Sequence, residues 1–137
     1  MDNIIQRKRR GYYVERKLVK MLSKKSGNYV FRIPVSGSRS SRKLITAFPD
    51  VFLVNNQEDR IVAFEVKSTI KSKVKIKKAQ IIKLSKFLYP FKKYSKREAV
   101  LAVWFIKQGK WVFRKVDGAI ISQDVVIHCD DESNWTP

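Results

Sequence analysis

The chain has 137 residues, 44% of them hydrophobic, which is enough for one domain with a real core and excludes a disordered basic tail. Its net charge is +18, and residues 1–115 carry all 30 Lys and Arg residues against seven of the 12 acidic ones, a net charge of +23. Such a charge favours a polyanionic partner, nucleic acid first, with a basic surface that serves membrane binding or solubility as the alternative.

Other classes of protein are excluded by features that the sequence lacks. The longest apolar run, Ala99–Ile106, is eight residues long, whereas a membrane span needs about 20. Residues 1–10 lack the apolar core of a secretory signal, and a single cysteine, Cys129, excludes an intrachain disulfide. One histidine and one cysteine are too few for a structural zinc site. We therefore expect a cytoplasmic protein in a reducing cell interior (that of a host cell if the chain is viral), with neither a membrane nor a small-molecule cofactor as partner.

The first third of the chain predicts one helix and one strand. Residues 1–10 are predicted to be a basic arm. Apolar residues recur at helical spacing from Tyr12 to Lys24, and Gly27 marks the end of that helix. Residues 29–33 are typical of a strand, and residues 36–43 of a basic, serine-rich loop.

Two β-prone runs follow, residues 51–54 and 61–64, and a polar, turn-like linker joins them. They predict an antiparallel hairpin in which Val54 faces Ile61. In that register both faces of the hairpin are apolar, which indicates a central hairpin covered on both sides.

Three charged residues cluster at the open end of this hairpin. The register places Asp50 opposite Glu65 with Cβ atoms about 5 Å apart, where like charges destabilise the pair. A cation is expected between them, and Mg²⁺, which takes one or two carboxylates with waters and phosphates, is the natural candidate. Alternation puts Lys67 on the face of Glu65, about 7 Å along the strand. The alternative is a solvated strand end with a Glu65–Lys67 ion pair.

The second half of the chain completes an α/β fold within a single domain, residues 1–137. A Lys-rich crossover, Lys71–Lys78, leads into an amphipathic helix over residues 78–91, which Pro90 ends or bends. Residues 116–137 are the acidic C-terminal end of the domain. The order α-β-β-β-α-β-β-β favours a mixed sheet with flanking helices. Its last three strands are predicted at residues 99–106, 111–115 and 125–127.

Basic and aromatic residues outside the hairpin have two interpretations each. Arg32, at a strand end beside the loop, is either a phosphate clamp or a surface arginine. Further basic residues are expected to follow a DNA backbone as replaceable contributors: Arg39, Arg42, Lys43, Lys71, Lys73, Lys75, Lys77 and Lys78. Large apolar residues of the second half are assigned to the core or to a subunit interface: Phe87, Leu88, Phe91, Trp104, Phe105, Trp111 and Phe113.

The chain resembles a known family of nucleases. Pro49-Asp50, followed on the next strand by Glu65-Val66-Lys67, is similar to the short and common PD-(D/E)XK nuclease motif. Over residues 8–115 the chain also resembles the archaeal Holliday junction resolvases and their viral relatives. The segments that carry this likeness are Gly11–Arg16, Arg32-Ile33-Pro34, Ser36-Gly37-Ser38 and Glu65–Thr69 with the Lys-rich stretch after it.

The resemblance implies a fold and a metal site. The fold is a restriction-endonuclease-like mixed central β-sheet flanked by helices. The metal ligands are Glu15, Asp50 and Glu65, and the cofactor is Mg²⁺, with Mn²⁺ as the alternative. From the residues alone, Glu15 is either an acid that interacts with the helix dipole or a metal ligand.

The resemblance also implies catalytic residues. Lys67 acts on the nucleophilic water and the scissile phosphate, together with the carboxylates of Asp50 and Glu65. Ser38 of the Ser-Gly-Ser loop is linked to cleavage, with Ser36 as the alternative. Gln80, at the start of the second helix, matches a glutamine that the family places near the site, where it would bind DNA; the alternative is a plain surface residue.

The leading hypothesis is a metal-dependent endonuclease that resolves four-way or branched DNA junctions by paired cuts as a homodimer. It would recognise shape and backbone, since nothing resembles a recognition helix. The alternatives are another PD-(D/E)XK nuclease, of restriction or repair type, and a non-catalytic basic nucleic-acid-binding protein. The Asp50–Glu65–Lys67 group favours an enzyme, because a pure binder has no use for opposed carboxylates on a surface that attracts phosphate.

Overall fold

A five-stranded mixed sheet lies at the centre of the computed structural model, which describes the backbone of residues 4–34 and 48–137 and the side chains of residues 11–34 and 48–137. The strand order is β1-β2-β3-β5-β6, and β4 pairs with β7 in a separate two-stranded sheet. The predicted mixed sheet with flanking helices is confirmed. Its elements are α1 (Ile4–Leu22), β1 (Asn28–Arg32), β2 (Val51–Asn55), β3 (Arg60–Thr69), β4 (Lys73–Ile76), α2 (Lys78–Leu88), β5 (Lys96–Phe105), β6 (Lys110–Val116) and β7 (Val125–His128).

Helix α1 packs one apolar edge on the sheet. Val14, Leu18 and Leu22, spaced four residues apart, are buried. Gly27, with a φ of +86°, then makes the turn into β1. The predicted N-terminal arm is wrong for residues 4–10, which are helical. Arg, Lys and Gln dominate that stretch, and these straight-chain residues have good helix propensity, so they extend the helix.

The β2–β3 hairpin has the predicted register, with Val54 opposite Ile61 and Val51 opposite Phe64. Alternate residues point to opposite faces of the sheet. One face packs against α1, and the other packs against α2, so the predicted cover on both sides is confirmed. The hairpin residues on the α1 face are Val51, Leu53, Val62, Phe64 and Val66, and those on the α2 face are Phe52, Ile61 and Ala63.

The parallel pairing of β3 with β5 requires the chain to cross from one end of the sheet to the other. Helix α2 lies in that crossing and buries Ile81, Leu84 and Leu88. It ends at Leu88, before Pro90 as expected but three residues earlier than the predicted range of 78–91.

A second, small sheet lies in and beyond the Lys-rich crossover. Strand β4 was not predicted. It forms because it pairs with β7, where Val74 lies opposite Ile127 and Ile76 lies opposite Val125. Ile76 and Ile127 are buried. The alternation of lysine with Val74 and Ile76 is the period-two signal of such a strand. The acidic end also caps α2, since Asp124 Oδ1 accepts a hydrogen bond of 2.9 Å from the Lys78 N–H.

The C-terminal residues cover the edge strand β6. The Phe113 N–H donates to Ser133 Oγ at 2.8 Å, and the Phe113 carbonyl accepts from the Asn134 N–H at 3.1 Å. The Lys115 N–H donates to Asn134 Oδ1 at 2.6 Å. Trp135 is buried in the core that α1 forms with the sheet. This segment protects the sheet edge from pairing with another strand, a role that the acidic composition did not predict.

Candidate active site

Asp50 and Glu65 meet at one end of the β2–β3 hairpin. Asp50 precedes β2 by one residue, and one further step of the β2–β3 register places it opposite Glu65. The Asp50 N–H donates to the Phe64 carbonyl at 3.0 Å, and Asp50 Oδ2 accepts from the Val66 N–H at 2.9 Å. The two carboxyl groups lie close enough for the charge of Asp50 to raise the pKa of Glu65. The opposition of carboxyl groups that the sequence predicts is therefore present in the fold.

Burial and mutual repulsion oppose the ionisation of these carboxyl groups. Burial first, and then the charge of Asp50, raises the pKa of Glu65 to about 7. Burial also raises the pKa of Asp50, against the opposing effects of the Val66 N–H and Lys67. On α1, burial and then the charge of Asp50 raise the pKa of Glu15 to about 7. A cation bound among these groups would favour the ionised form of each.

Lys67 supplies a positive charge beside Glu65. Its Nζ lies 3.8 Å from Glu65 Oε1, on the same face of β3. The Glu65 side chain is only 16% exposed, whereas Lys67 is 34% exposed. The ion pair of the alternative interpretation is thus present, but its carboxylate is not solvated. Lys67 instead has a partly exposed ammonium group that lies next to a nearly buried carboxylate.

Glu15 lies on α1 and is paired with Arg32 at the end of β1. Arg32 Nη1 lies 3.4 Å from Glu15 Oε1, and the guanidinium lies over the ring of Tyr12, 4.7 Å from its centroid. Both charged side chains are partly buried. Arg32 is therefore not a plain surface arginine, since it is held at the edge of the site by a carboxylate and a ring. Its role as a phosphate clamp stays a prediction.

Gln80 connects α2 to the site. It is the third residue of α2, and its Nε2 lies 3.4 Å from Glu65 Oε1, a long hydrogen bond. The same oxygen is the one that Lys67 approaches. The fold thus brings Gln80 beside the site, while its contact with DNA stays a prediction.

The remaining predicted residues lie in two places. Ser38, its alternative Ser36, Arg39, Arg42 and Lys43 lie outside the described residues. A second group is exposed, in the loop after β3, in β4 and at the start of α2, and its contacts with DNA stay predictions: Lys71, Lys73, Lys75, Lys77 and Lys78. In this group Lys75 Nζ lies 3.6 Å from Asp124 Oδ2.

The oxygen donors fit a hard divalent cation. Mg²⁺ takes one or two carboxylate ligands and keeps several waters. The adjacent Asp50 and Glu65 could supply those two carboxylates. Across residues 11–34 and 48–137, no three His, Cys, Asp or Glu side chains form a group that could hold a metal ion. Because Glu15 is paired with Arg32, its assignment as a third ligand stays a prediction.

Two contacts of the site were not predicted. The Val66 N–H fixes the Asp50 carboxylate, and the hairpin register alone would have placed these two residues close enough to suggest it. The Tyr12 ring supports Arg32. Tyr12 and Glu15 share a helix face at a spacing of three, but nothing in the local sequence connects them with Arg32 on another element.

We expect the metal-free protein to lose stability as the pH rises from about 4.5 to about 7. Glu15 and Glu65 release their protons near pH 4.5 when unfolded but near pH 7 when folded, so the folded state binds more protons in this interval. With about 1.4 kcal/mol for each pKa unit, the decline should be on the order of a few kcal/mol. Urea unfolding at a series of pH values measures it.

Two comparisons test the cause of this decline. Glu65→Gln should flatten the pH dependence, because it removes one of the two titrating groups. Saturating Mg²⁺ should reduce the decline, because it favours the ionised carboxylates of the folded state. If the metal-free protein instead becomes more stable between pH 4.5 and about pH 7, Glu15 and Glu65 do not keep their protons in the folded state as expected.

The sequence is similar to archaeal junction-cleaving proteins over most of its length. The family model described as "Archaeal holliday junction resolvase (hjc)" matches residues 6–132. Crossover junction endodeoxyribonuclease Hje of Sulfolobus acidocaldarius is 38% identical over 101 residues, which are 74% of this chain and 66% of that protein. Hje of Saccharolobus islandicus is 32% identical over 124 residues, 88% of this chain and 84% of that protein.

The fold is similar to that of a solved structure in the same group. The 1.6 Å structure of Archaeoglobus fulgidus Hjc, a Holliday junction resolvase from an archaeal hyperthermophile, has a TM-score of 0.62. It is 20% identical, with 88% of this chain and 84% of that chain covered, so this likeness supports the fold alone. By its match over residues 6–132 and its 32% identity to a relative of which it covers 84%, the chain belongs to the archaeal Holliday junction resolvase family.

Proposed function

We propose that the protein is a structure-selective, metal-dependent endonuclease that resolves four-way DNA junctions as a homodimer. The observation that carries this proposal is the pair of nearly buried carboxyl groups, Asp50 and Glu65, with Lys67 beside them. A protein that only binds DNA gains nothing from opposed acids on a surface of net positive charge. The proposed substrate, junction DNA, is inferred from the family and from the Hje relatives, which are named as crossover junction endodeoxyribonucleases.

The proposed cofactor is Mg²⁺, with Mn²⁺ as the alternative. Asp50 and Glu65 would hold it, because carboxylate oxygens are the ligands that both cations accept. When bound, such a cation lowers the pKa of a coordinated water and offsets negative charge on the phosphate.

The surrounding residues have separate tasks in the cleavage reaction. The Val66 N–H fixes the orientation of the Asp50 carboxylate, and Gln80 Nε2 restrains Glu65. Lys67 Nζ can donate to a phosphate oxygen and offset the negative charge that develops when water attacks phosphorus. Because the Lys67 side chain is about one-third exposed, a DNA phosphate can reach it without a rearrangement of the core.

Backbone contacts would supply most of the DNA affinity. The exposed lysines that follow β3 extend the positive surface away from the carboxyl groups. Contacts with phosphates fix the position of DNA without reading base sequence, so selectivity for a junction comes from its shape.

A homodimer would supply the two sites that paired cuts require. One protomer carries one Asp50–Glu65 pair, whereas a four-way junction is resolved by two cuts related by its approximate twofold symmetry. An isologous dimer repeats the same surface with that symmetry.

Aromatic side chains on the α2 side form a surface that suits such a dimer. Phe31 and Phe48 are each 46% exposed, and they contact Phe52 and Phe87 at centroid distances of 5.5 and 6.2 Å. Phe91 lies 5.5 Å from Phe87 and extends the same surface. An exposed group of this kind commonly marks a protein interface.

The other interface candidates are less suitable. Leu88 and Phe105 are buried in the core, which is one of the two alternatives that the sequence left open, so neither is available for an interface. Trp104 and Trp111 are half-buried on the opposite, α1 face of the sheet and contact each other at 5.3 Å.

Cleavage of end-labelled four-way junctions, with and without Mg²⁺, tests the proposed function. We expect paired cuts that need the metal and that are much slower on a linear duplex of the same sequence. Equal cutting of the linear duplex would favour another PD-(D/E)XK nuclease. Binding without cutting in Mg²⁺ or Mn²⁺ would favour a non-catalytic nucleic-acid-binding protein.

A mixed dimer of wild type and Asp50→Asn tests the assembly. It should cut one strand of the junction and stall before the second cut, because only one of its two sites is intact.

Light scattering of the wild type should report about twice the chain mass of 16.1 kDa. Phe31→Ser should shift the mass towards the monomer, whereas Tyr13→Ser, an exposed aromatic on α1 at the opposite face of the sheet, should not. A monomer that makes paired cuts would contradict the proposal.

A cytoplasmic location is part of the same proposal, since a DNA resolvase must reach intracellular DNA. Among the residues that the structure describes, no helix combines the length and the apolar character of a membrane span.

A further inference from the structure

The Arg32 guanidinium is held from two directions at the edge of the candidate active site. Its centre lies 4.7 Å from the centroid of the Tyr12 ring, and its Nη1 lies 3.4 Å from Glu15 Oε1. Tyr12 and Glu15 are three residues apart on α1, so one face of one helix makes both contacts.

We propose that Tyr12 is a positioning residue for junction DNA, which holds the Arg32 guanidinium beside the carboxyl groups so that Arg32 can receive a DNA phosphate. This inference rests on the proposed function, because the phosphate belongs to the junction that the site would cut. Tyr12 acts through Arg32 and needs no contact with DNA itself.

The geometry of an arginine explains why a ring suits this task. The five N–H donors of a guanidinium lie in its plane, and a ring packed on its face uses none of them. The contact with Glu15 uses Nη1. The ring of Tyr12 thus restrains the orientation of the plane and leaves the in-plane donors for oxygen acceptors such as a phosphate.

The backbone places this arginine next to the reaction. Arg32 pairs with Val51 at the end of β1, and the neighbouring Ile33 N–H donates to the Asp50 carbonyl at 3.0 Å. A phosphate bound by Arg32 would therefore lie next to the strand that presents Asp50. A free arginine side chain has about 2 kcal/mol of rotamer entropy, so a support that limits its rotamers favours binding.

Tyr13 offers a matched control on the same helix. It is the next residue in sequence and the same residue type, but it is 60% exposed and points to a different side of α1. A loss that appears for Tyr12 and not for Tyr13 therefore reports the contact with Arg32 and not the aromatic content of the helix.

A double-mutant cycle tests the proposal on the whole 137-residue chain. The variants are Tyr12→Leu, Tyr12→Phe, Arg32→Gln and the Tyr12→Leu/Arg32→Gln double variant, with Tyr13→Leu as the control. The first measurement is the dissociation constant for a fluorescent four-way junction in metal-free buffer. The second is the cleavage rate at saturating protein in Mg²⁺.

We expect Tyr12→Leu to weaken junction binding roughly three- to tenfold, the range that corresponds to loss of one cation–π contact. Tyr12→Phe keeps the ring and should stay within about twofold of wild type, as should Tyr13→Leu. In the Arg32→Gln background Tyr12→Leu should have no further effect, since the group that it positions is gone.

Three outcomes would overturn the proposal. They are wild-type binding by Tyr12→Leu, an equal loss for Tyr12→Phe, and an undiminished effect of Tyr12→Leu in the Arg32→Gln background. If Tyr12→Leu unfolds, Tyr12→Met replaces it in the cycle. A wild type that binds junctions but never cuts them contradicts the proposed function, whereas the binding cycle still decides the role of Tyr12.

Discussion

Asp50→Asn should abolish junction cleavage while junction binding stays intact or becomes stronger. The substitution removes one of the two carboxylates that would hold the cation, and several kcal/mol of transition-state stabilisation correspond to a loss of roughly a thousandfold or more. Binding should not fall, because a negative charge that repels phosphate is removed. Single-turnover cleavage in Mg²⁺ and binding in metal-free buffer measure the two effects separately.

The structure indicates that this variant will fold. Asp50 Oδ2 accepts the Val66 N–H at 2.9 Å, and the amide oxygen of asparagine can accept the same hydrogen bond. Burial makes an ionised carboxylate at this position unfavourable, so a neutral side chain should stabilise the metal-free fold.

Two further variants complete the test. Glu65→Gln should behave as Asp50→Asn does, because it removes the other carboxylate of the pair. Glu132→Gln, which removes one exposed acidic charge from the C-terminal end, should cleave as wild type does. Parallel loss of binding and cleavage in Asp50→Asn would contradict its assignment as a metal ligand and indicate a folding defect.

The hairpin and its charged end could be predicted from the sequence because their determinants are local. Two apolar runs joined by a short polar linker leave little freedom of register, since a shift by one residue would turn every buried side chain to the other face. Once Val54 faces Ile61, the positions of Asp50 and Glu65 follow. The same argument placed Lys67 correctly beside Glu65.

Contacts between distant elements could not be predicted in this way. Arg32 contacts Tyr12 and Glu15 only because β1 ends beside α1, which depends on the packing of the whole α1 face. Strand β4 forms because β7, about fifty residues later, pairs with it. In both cases the local sequence shows a suitable side chain but not its partner.

Trp135 is another residue whose role depends on distant partners. Its side chain is 4% exposed and lies 5.3 Å, centroid to centroid, from the rings of both Phe64 and Phe113. The indole N–H donates to Glu98 Oε1 at 3.3 Å, and the Arg60 guanidinium lies 5.0 Å from the ring. An acidic, polar C-terminal end gave no sign of this core position.

Trp135→Ala should therefore lower the free energy of unfolding by about 3–5 kcal/mol, the usual effect of truncating a buried tryptophan. This is a large share of the roughly 5–15 kcal/mol that stabilises a typical domain. Trp135→Phe, which keeps a ring but loses the hydrogen bond to Glu98, should lose less. Guanidinium chloride unfolding followed by circular dichroism measures each variant, with Thr136→Ala at the exposed neighbouring position as the control.

The effect of Trp135→Ala should extend to the candidate active site. Trp135 packs on Phe64, and the Phe64 carbonyl accepts the Asp50 N–H at 3.0 Å, so loss of the indole removes support from the strand that positions both carboxyl groups. Cleavage by Trp135→Ala should consequently decline at a temperature well below that at which the wild type loses activity, while Thr136→Ala follows the wild type. A loss of stability below about 1 kcal/mol would show that the C-terminal segment lies on the fold without stabilising it, because that loss is far smaller than truncation of a buried tryptophan produces.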